Sequence, residues 1–393
     1  MVNTPSARVA IIGVSGYGSI HLQLARASQQ RGEISLTAAT IINPDEEAAV
    51  VSELRAQGTE IFENYLEMLE RHADRIDLCL IPTGIHWHAR MTVAALRAGA
   101  NVLVEKPLAG SLAEVEEIRR VERETGRFVA VGFQDLYEPG TVWLKDELRR
   151  GAIGNIESVR FLGVWPRPRE YFTRNDWAGR LQVDGAVVLD SPLNNAFAHF
   201  VMLSLFFIGA DVADLGLSVE GAELLRAHEI ESFDTAVIRS RTAAGVKLWF
   251  GASHACSETI EPEIVITGSQ GQARWCYEAE AHWKNLTGAV SRLPLPDISV
   301  ARKEMFDAAL RRLRDPSVAI CTTELAAQHV ALIERVHQHG QIETVPSEHV
   351  TWVGEKGKSS QVAQIEGLLA ALRRSYAAEQ SLAASGFPSF SIR

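Results

Sequence analysis

Cysteine is scarce in this chain of 393 residues. There are four, Cys79, Cys256, Cys276 and Cys321, far apart and never in a C-x-x-C pair. That spacing signals neither a zinc knuckle nor a vicinal redox couple, and scattered free thiols suit the reducing cytoplasm. Long apolar runs are missing too. The longest, Ala196–Ala210, contains His199 and falls short of the ~20 residues that a membrane helix needs, so it reads as a buried core helix. The opening MVNTPSARVAIIG has no long apolar stretch ahead of structure, so neither a secretory signal nor a membrane partner is expected. Repeats, low-complexity tracts and long charge blocks are absent as well. Nor is there an excess of positive charge: 39 Lys and Arg against 49 Asp and Glu leave −10, which argues against nucleic acid as a partner.

What remains is an ordinary globular composition, 46% hydrophobic and 22% charged, in a chain long enough for two or three domains. The first ~130 residues alternate short apolar runs with helical patterns, as βαβ units of a parallel sheet do. Strands are expected at Arg8–Ile12, Ile34–Ile42, Asp77–Ile81, Asn101–Val104 and Phe128–Gly132. Helices are expected near Glu46–Gln57, Ala89–Ala98 and Leu112–Glu122. Beyond them the pattern changes. Ile156–Val164, Phe233–Arg239, Val246–Ser253, Pro262–Thr267 and Ala273–Tyr277 read as a mostly antiparallel open sheet, with the Ala196–Ala210 helix packed on it. Thr322–Gln338 reads as a helix that returns to the first domain or covers the sheet. Val362–Ala378 reads as an amphipathic helix that docks on the body or on another subunit. The expected fold class is α/β: a Rossmann dinucleotide-binding domain (1–130), an α+β substrate and oligomerisation domain (131–346) and a C-terminal extension (347–393).

Gly13-Val14-Ser15-Gly16-Tyr17-Gly18 follows the first strand and opens a helix, the context in which a glycine-rich turn binds a pyrophosphate. The first glycine allows the tight turn, and the last lets helix and strand pack closely. Ser15 stands where the middle glycine is usual. After the second strand the chain reads Ile42-Asn43-Pro44, with no acid at the tip and no nearby Arg for a 2′-phosphate. Asn43 can hydrogen-bond either ribose form, which leaves both NAD and NADP open.

Pro82-Thr83-Gly84-Ile85-His86-Trp87-His88 follows another strand, and Glu105-Lys106-Pro107 comes seventeen residues after His88. With Gly132-Phe133-Gln134, Trp177 and Asp190, these motifs resemble the glucose-fructose oxidoreductase / inositol dehydrogenase / MocA-like family (Gfo/Idh/MocA) across the chain to about Pro346. The resemblance implies NAD(P)-dependent hydride transfer to or from a hydroxyl or carbonyl of a sugar, polyol or sugar-derived acid. It implies cofactor contacts from Pro82, Thr83, His86, His88, Glu105, Lys106, Gln134 and Trp177, beside Gly13, Ser15, Gly16, Tyr17, Gly18 and Asn43. Lys106 would sit near the reacting carbon, where a partly buried ammonium can polarise a carbonyl or accept a hydroxyl's proton. Its plain alternative is a lysine ion-paired with Glu105. Members commonly pair through the open sheet face, so a homo-oligomer, dimer or tetramer, is the expected assembly.

One stretch departs from the family pattern. The usual Asp-x-x-x-His is Asp190-Ser191-Pro192-Leu193-Asn194 here, and a later family aspartate is Phe197. Ser191-Pro192 is a good helix start, which would place Asn194 and Asn195 in the first turn. Asn cannot exchange a proton near neutral pH, although it can bond a substrate hydroxyl. The nearest replacement is His199, four residues after Asn195 and so on the same helical face, unless it is a satisfied core histidine. Asp190 would orient Lys106 or His199, bind a hydroxyl, or merely cap the helix. His86 and His88 lack a thiolate or carboxylate companion, so no metal is expected. Asp135 is a further departure, in a position where basic residues are common in the family. The segment from Trp165 to Trp177, with Arg167, Tyr171, Arg174 and Asn175, reads as a substrate lid together with Tyr137, or else as a packed loop. Two other functions stay open: non-redox chemistry on sugars with retained NAD, and a non-catalytic NAD(P)-binding sensor.

Overall fold

The computed structural model describes residues 6–390 and divides into two compact units. The first comprises residues up to Phe133 together with Arg302–Ala327, and the second Gln134–Ala301 together with Gln328 onward. The first and last residues of the expected N- and C-terminal segments, 1–5 and 391–393, lie outside the described residues.

The first unit runs β1 (Ala7–Ile12), α1 (Gly18–Gln30), β2 (Ile34–Thr40), α2 (Ala48–Ala56), β3 (Glu60–Phe62), α3 (Tyr65–Arg71), β4 (Leu78–Ile81), α4 (Ile85–Arg97), β5 (Asn101–Val104), α5 (Leu112–Thr125) and β6 (Val129–Val131). Its six strands are all parallel, in the order β3-β2-β1-β4-β5-β6. The strand order reverses between β1 and β4, and ligands of such sheets bind beyond the strand tips at that switch. Every residue of β4, β5 and β6 is buried, which is why these strands read as unbroken apolar runs rather than alternations. β3 and α3 escaped the sequence reading: β3 is three residues long, lies at the sheet edge and begins with an exposed Glu60.

Edge strand β6 is finished by side chains and by the returning segment. Val129 N–H donates to Glu122 Oε1 at 2.8 Å, and Thr323 Oγ1 donates to Glu122 Oε2 at 2.7 Å. Val131 N–H donates to the Cys321 carbonyl at 2.9 Å. The outward N–H groups of this edge are thereby satisfied and closed to a foreign strand.

The second unit contributes α6 (Pro139–Arg149), β7 (Ile156–Val164), α7 (Arg169–Thr173), β8 (Gln182–Val183), β9 (Ala186–Val187), α8 (Ala198–Phe207), β10 (Ser218–Arg226), β11 (Thr235–Arg241), β12 (Lys247–Ser253), β13 (Ile260–Gly268), β14 (Gly271–Cys276), β15 (Glu280–Asn285) and β16 (Val290–Pro294). Helices α9 (Ile298–Arg312) and α10 (Thr323–His339) carry the chain out of this unit and back. β17 (Ile342–Thr344), β18 (Val350–Val353), β19 (Val362–Ile365) and α11 (Leu368–Ala378) complete it. Nine strands form one open sheet, β16-β15-β14-β13-β7-β12-β11-β10-β17. Only the β7–β12 and β10–β17 pairs are parallel.

Alternation along β7 sends Phe161 to one face and Leu162 and Val164 to the other. Phe161 stacks on Phe200 of α8, ring centroids 5.8 Å apart. The opposite face does not stay bare. Leu162, Val164, Leu225, Val237 and Trp249 pack there with Leu368, Ala371 and Leu372 of α11. Trp249 Nε1 donates to the Gln380 carbonyl at 2.9 Å. The extension therefore docks on its own body.

Two expected helices begin later than their sequences suggest. Val362–Ile365 pairs with β18 as a strand, and only Leu368 onward is helical. α8 starts at Ala198, not at Ser191-Pro192, and residues 191–197 form turns. Asn195 accordingly precedes the helix and does not share a helical face with His199.

Candidate cofactor and substrate sites

The glycine turn sits at the switch point of the parallel sheet. Gly13 has φ +89° and Gly16 φ +56°, the left-handed region that glycine enters at little cost. A Cβ on Gly18 would meet the Gly13 carbonyl oxygen at 2.7 Å, so only glycine lets α1 start this close to β1. Among the described residues, no acceptor takes the N–H groups of Val14, Ser15 and Gly16. Three unsatisfied N–H groups just ahead of a helix N-terminus fit a pyrophosphate. Thr83 and Pro82 pack against this turn: their side chains lie 3.5 and 3.6 Å from where Cβ atoms of Gly13 and Gly18 would stand. Ser15 does not offer its hydroxyl to a phosphate as built, because Oγ donates to Glu47 Oε1 at 2.6 Å. Asn43 donates to Glu46 Oε2 at 3.3 Å.

Glu105 and Lys106 follow β5. Glu105 is buried, and its Oε1 lies 2.8 Å from Nε2 of His21, a fully buried histidine on α1. Its Oε2 accepts from the Lys106 backbone N–H at 3.2 Å. A Cβ on Gly132 would meet Glu105 Oε1 at 2.7 Å, which explains the glycine after β6. Glu105 is thus a brace that ties α1, β5 and the loop after β6, while Lys106 itself is half-buried. Sequence reasoning missed His21. Its only signal is a polar residue on the buried face of the first helix.

His88 is not an open cleft residue. It is 1% exposed, with Nδ1 2.7 Å from the Pro107 carbonyl and Nε2 3.0 Å from the Thr83 carbonyl. Burial lowers its pKa. In its neutral form the ring carries one N–H and donates to one of these two carbonyls, so His88 packs the Thr83 loop beside the Glu105-Lys106-Pro107 loop. His86 is buried at the start of α4, with its ring tilted against Trp87.

The second unit gathers a separate polar cluster. Asp190 is 3% exposed; Oδ2 accepts the Gly179 N–H at 2.6 Å, and Oδ1 accepts Asn195 Nδ2 at 2.9 Å. Asn195 also lies 3.5 Å from the Tyr171 hydroxyl. Burial raises the Tyr171 pKa, so its phenol stays protonated and can donate. Arg174 lies over the Tyr171 ring at 3.8 Å, and Arg167 at 4.9 Å. Asn194 turns away from this chemistry. It is buried, and its amide donates to the carbonyls of Val188 (3.0 Å) and Leu189 (3.2 Å), where Leu189 has φ +50°. Asn175 caps a turn, accepting from Trp177 N–H (3.2 Å) and Ala178 N–H (2.8 Å). Asn194 through its amide nitrogen, and Asn175 through its amide oxygen, are each engaged with backbone.

His199 has an unforeseen companion. Its Nδ1 lies 3.1 Å from Asp135 Oδ2, and its Nε2 lies 3.3 Å from the Gln134 amide nitrogen. Gln134, Asp135 and Tyr137 share a single 3-10 turn, with Gln134 and Asp135 buried and Tyr137 half-buried. A cleft of about 920 Å³ opens beside the Asp190 cluster, lined by Arg169, Phe172, Gly179, His228, Glu231 and Lys358 among others. The Trp165–Trp177 segment and the C-terminal segment share its wall, joined by Arg169 N–H to the Gln361 carbonyl (3.0 Å) and Glu170 N–H to the Ser359 carbonyl (2.9 Å). Among the described residues, no group of three or more His, Cys, Asp or Glu is arranged to hold a metal ion, and no helix is long and apolar enough to cross a membrane.

A parallel sheet with a glycine turn at its switch point, followed by a large, mostly antiparallel sheet, defines a two-unit dinucleotide-binding α/β protein. The family model described as "Oxidoreductase family, NAD-binding Rossmann fold" (GFO_IDH_MocA) matches residues 7–133, the parallel-sheet part of the first unit. The chain is 29% identical to a dTDP-3,4-didehydro-2,6-dideoxy-alpha-D-glucose 3-reductase of Actinomadura kijaniata, over 55% of this chain and 59% of that one. It is 24% identical to an inositol 2-dehydrogenase of Rubrobacter xylanophilus, over 60% and 62% of the two chains. Two solved structures share the fold. The WlbA dehydrogenase from Bordetella pertussis, in complex with NADH and UDP-GlcNAcA, superposes with a TM-score of 0.69 at 21% identity over 85% of this chain and 96% of that one. KijD10, a 3-ketoreductase from Actinomadura kijaniata in complex with NADP and TDP-benzene, gives 0.68 at 21% identity over 87% and 100%.

Proposed function

We propose that this protein is an NAD(P)-dependent oxidoreductase acting on a hydroxyl or carbonyl of a sugar-like substrate. The observation that carries the proposal is Lys106, placed at a strand tip of the dinucleotide-binding sheet by a buried Glu105–His21 brace. The N–H groups of Val14, Ser15 and Gly16 would hold the pyrophosphate, with Pro82 and Thr83 beside them. Bound nicotinamide supplies or takes the hydride. Lys106 polarises the substrate carbonyl or holds its hydroxyl proton. Within the second unit, Asp190, Asn195 and Tyr171 form a hydrogen-bonding cluster suited to sugar hydroxyls, and the Trp165–Trp177 segment carries aromatic faces of the kind that stack on a sugar ring.

Asn194 cannot carry a proton, and its amide is engaged on backbone. His199 takes the proton-carrying role in this proposal, and Asp135 orients its ring. The relatives named above act on, or were solved with, nucleotide-linked sugars and inositol, so the substrate class proposed is sugars, polyols and nucleotide-linked sugars. Cytoplasmic residence is proposed as well, on the four free cysteines: burial holds Cys79 and Cys256 up at about 12, far from reactive thiolates. A homo-oligomer remains part of the proposal, through a surface other than the sheet face under α11.

The test is Lys106→Ala, assayed across a panel of sugars and nucleotide sugars with either cofactor. The expected kcat falls by roughly 10²–10⁴-fold while the melting temperature holds. An undiminished kcat removes Lys106 from the chemistry.

A further inference from the structure

The two solved structures carry NADH in one case and NADP in the other, so likeness to them does not choose between the two. The residues beyond β2 do. Gly13 N–H donates to the Thr40 carbonyl at 2.9 Å, which ties the glycine turn to the tip of β2. Asn43, the residue at the usual acid position, donates its amide to Glu46. Glu47 occupies the N-cap position of α2, yet its carboxylate does not cap that helix. It reaches back to the glycine turn, where Oε1 accepts from Ser15 Oγ at 2.6 Å. Among the described residues, its second oxygen has no donor. A carboxylate with a spare oxygen beside the pyrophosphate turn is an acceptor for a vicinal diol.

Charge around this carboxylate points the same way. From Ile41 to Leu54 there are four acids, Asp45, Glu46, Glu47 and Glu53, and no Lys or Arg. The turn from Gly13 to Ser19 has no charged side chain. The cation in contact with the turn is Arg302, 5.8 Å from the Tyr17 ring centroid, on Tyr17 rather than on Glu47. Glu53 is paired with Arg26 at 2.7 Å, which leaves Asp45, Glu46 and Glu47 as the acids that a phosphate on the ribose 2′-oxygen would face, and like charges repel.

We propose that Glu47, latched to the glycine turn by Ser15, is the specificity-determining residue that makes this protein select NAD(H) over NADP(H), by accepting hydrogen bonds from the adenosine ribose hydroxyls. Ser15 then has a purpose at the position where glycine is usual: its hydroxyl aims the carboxylate. This inference rests on the nicotinamide-binding reading above.

The experiment is equilibrium titration of the full-length protein with NADH and with NADPH, followed by nicotinamide fluorescence or calorimetry, so no substrate is needed. NADH is expected to bind at least ~10-fold more tightly at low salt, with a smaller gap at high salt, because the discrimination is largely electrostatic. Glu47→Gln is expected to weaken NADH, strengthen NADPH and shrink the ratio several-fold, and Ser15→Ala to weaken NADH more mildly. NADPH binding as tightly as NADH, above all if Arg302→Ala abolishes it, overturns the assignment. So does a ratio unmoved in Glu47→Gln. Failure of both nucleotides to bind overturns the nicotinamide reading itself, a result distinct from a lost preference.

Discussion

Asn194 and His199 lie five positions apart and are employed differently. The asparagine holds the carbonyls on either side of the Val188–Leu189 peptide, where a left-handed residue needs support. The histidine sits against Asp135 with the other ring nitrogen toward Gln134. A carboxylate and an amide this close can bias the orientation of an acid–base ring. His199→Gln is therefore expected to lower kcat by about 10²-fold or more. Asp135→Asn is expected to lower kcat less, since it keeps the shape of the group that faces the ring. An undiminished kcat in both variants would leave His199 as packing only. Some of this site was legible beforehand. Gly13, Lys106 and Asp190 announce themselves through short motifs whose partners are adjacent in sequence. His21 with Glu105, 84 positions apart, and Ser15 with Glu47, 32 apart, do not, because only the parallel sheet's crossovers bring them together.

At the scale of elements, legibility follows burial. β5 and β7 were read to the residue, because each is an apolar or alternating run bounded by turns. β15 and β16 were missed, since EAHWKN and VSRLP at the sheet's edge bury little and show no strand signal. α8 misled about its start for the opposite reason: it is apolar on every side, so no periodicity marks where the helix begins. Burial also makes elements sensitive to pH. His254, just after β12, is held down at about 3, and His337 on α10 at about 4, both through desolvation. An unfolded histidine titrates near ~6.5, so below that pH the unfolded chain takes up protons that the folded chain refuses. Stability should therefore fall as pH drops below about 6.5, with a slope of roughly 1.4 kcal/mol per pH unit for each histidine. Glu114, Glu122 and Glu138, all raised by burial, act in the opposite sense at lower pH, so the window to examine opens just below about 6.5. Chemical denaturation at stepped pH measures the slope. His254→Gln, which retains a donor for the Trp165 carbonyl, should flatten it, and an equal slope in that variant would place the effect elsewhere.

For the molecule as a whole, the C-terminal extension is a second layer over the large sheet. Leu368, Ala371 and Leu372 are fully buried against Leu162, Val164 and Trp249. Leu372→Ala is expected to cost ~2–5 kcal/mol in urea unfolding, the range for a leucine removed from a packed core. A loss under ~1 kcal/mol would mean that α11 rests loosely on the sheet. The expectation that this face would be open for pairing between copies gives way to a face already occupied by the chain's own helix. Modularity is limited in another way. The dinucleotide-binding sheet is not one continuous stretch of gene, for its last strand relies on an oxygen of Cys321 and, through Glu122, on the hydroxyl of Thr323. A fragment cut after Phe133, or a Rossmann half transplanted onto another protein, would carry a raw margin with an orphaned Val131 amide, so recombination among such chains must move both stretches or neither.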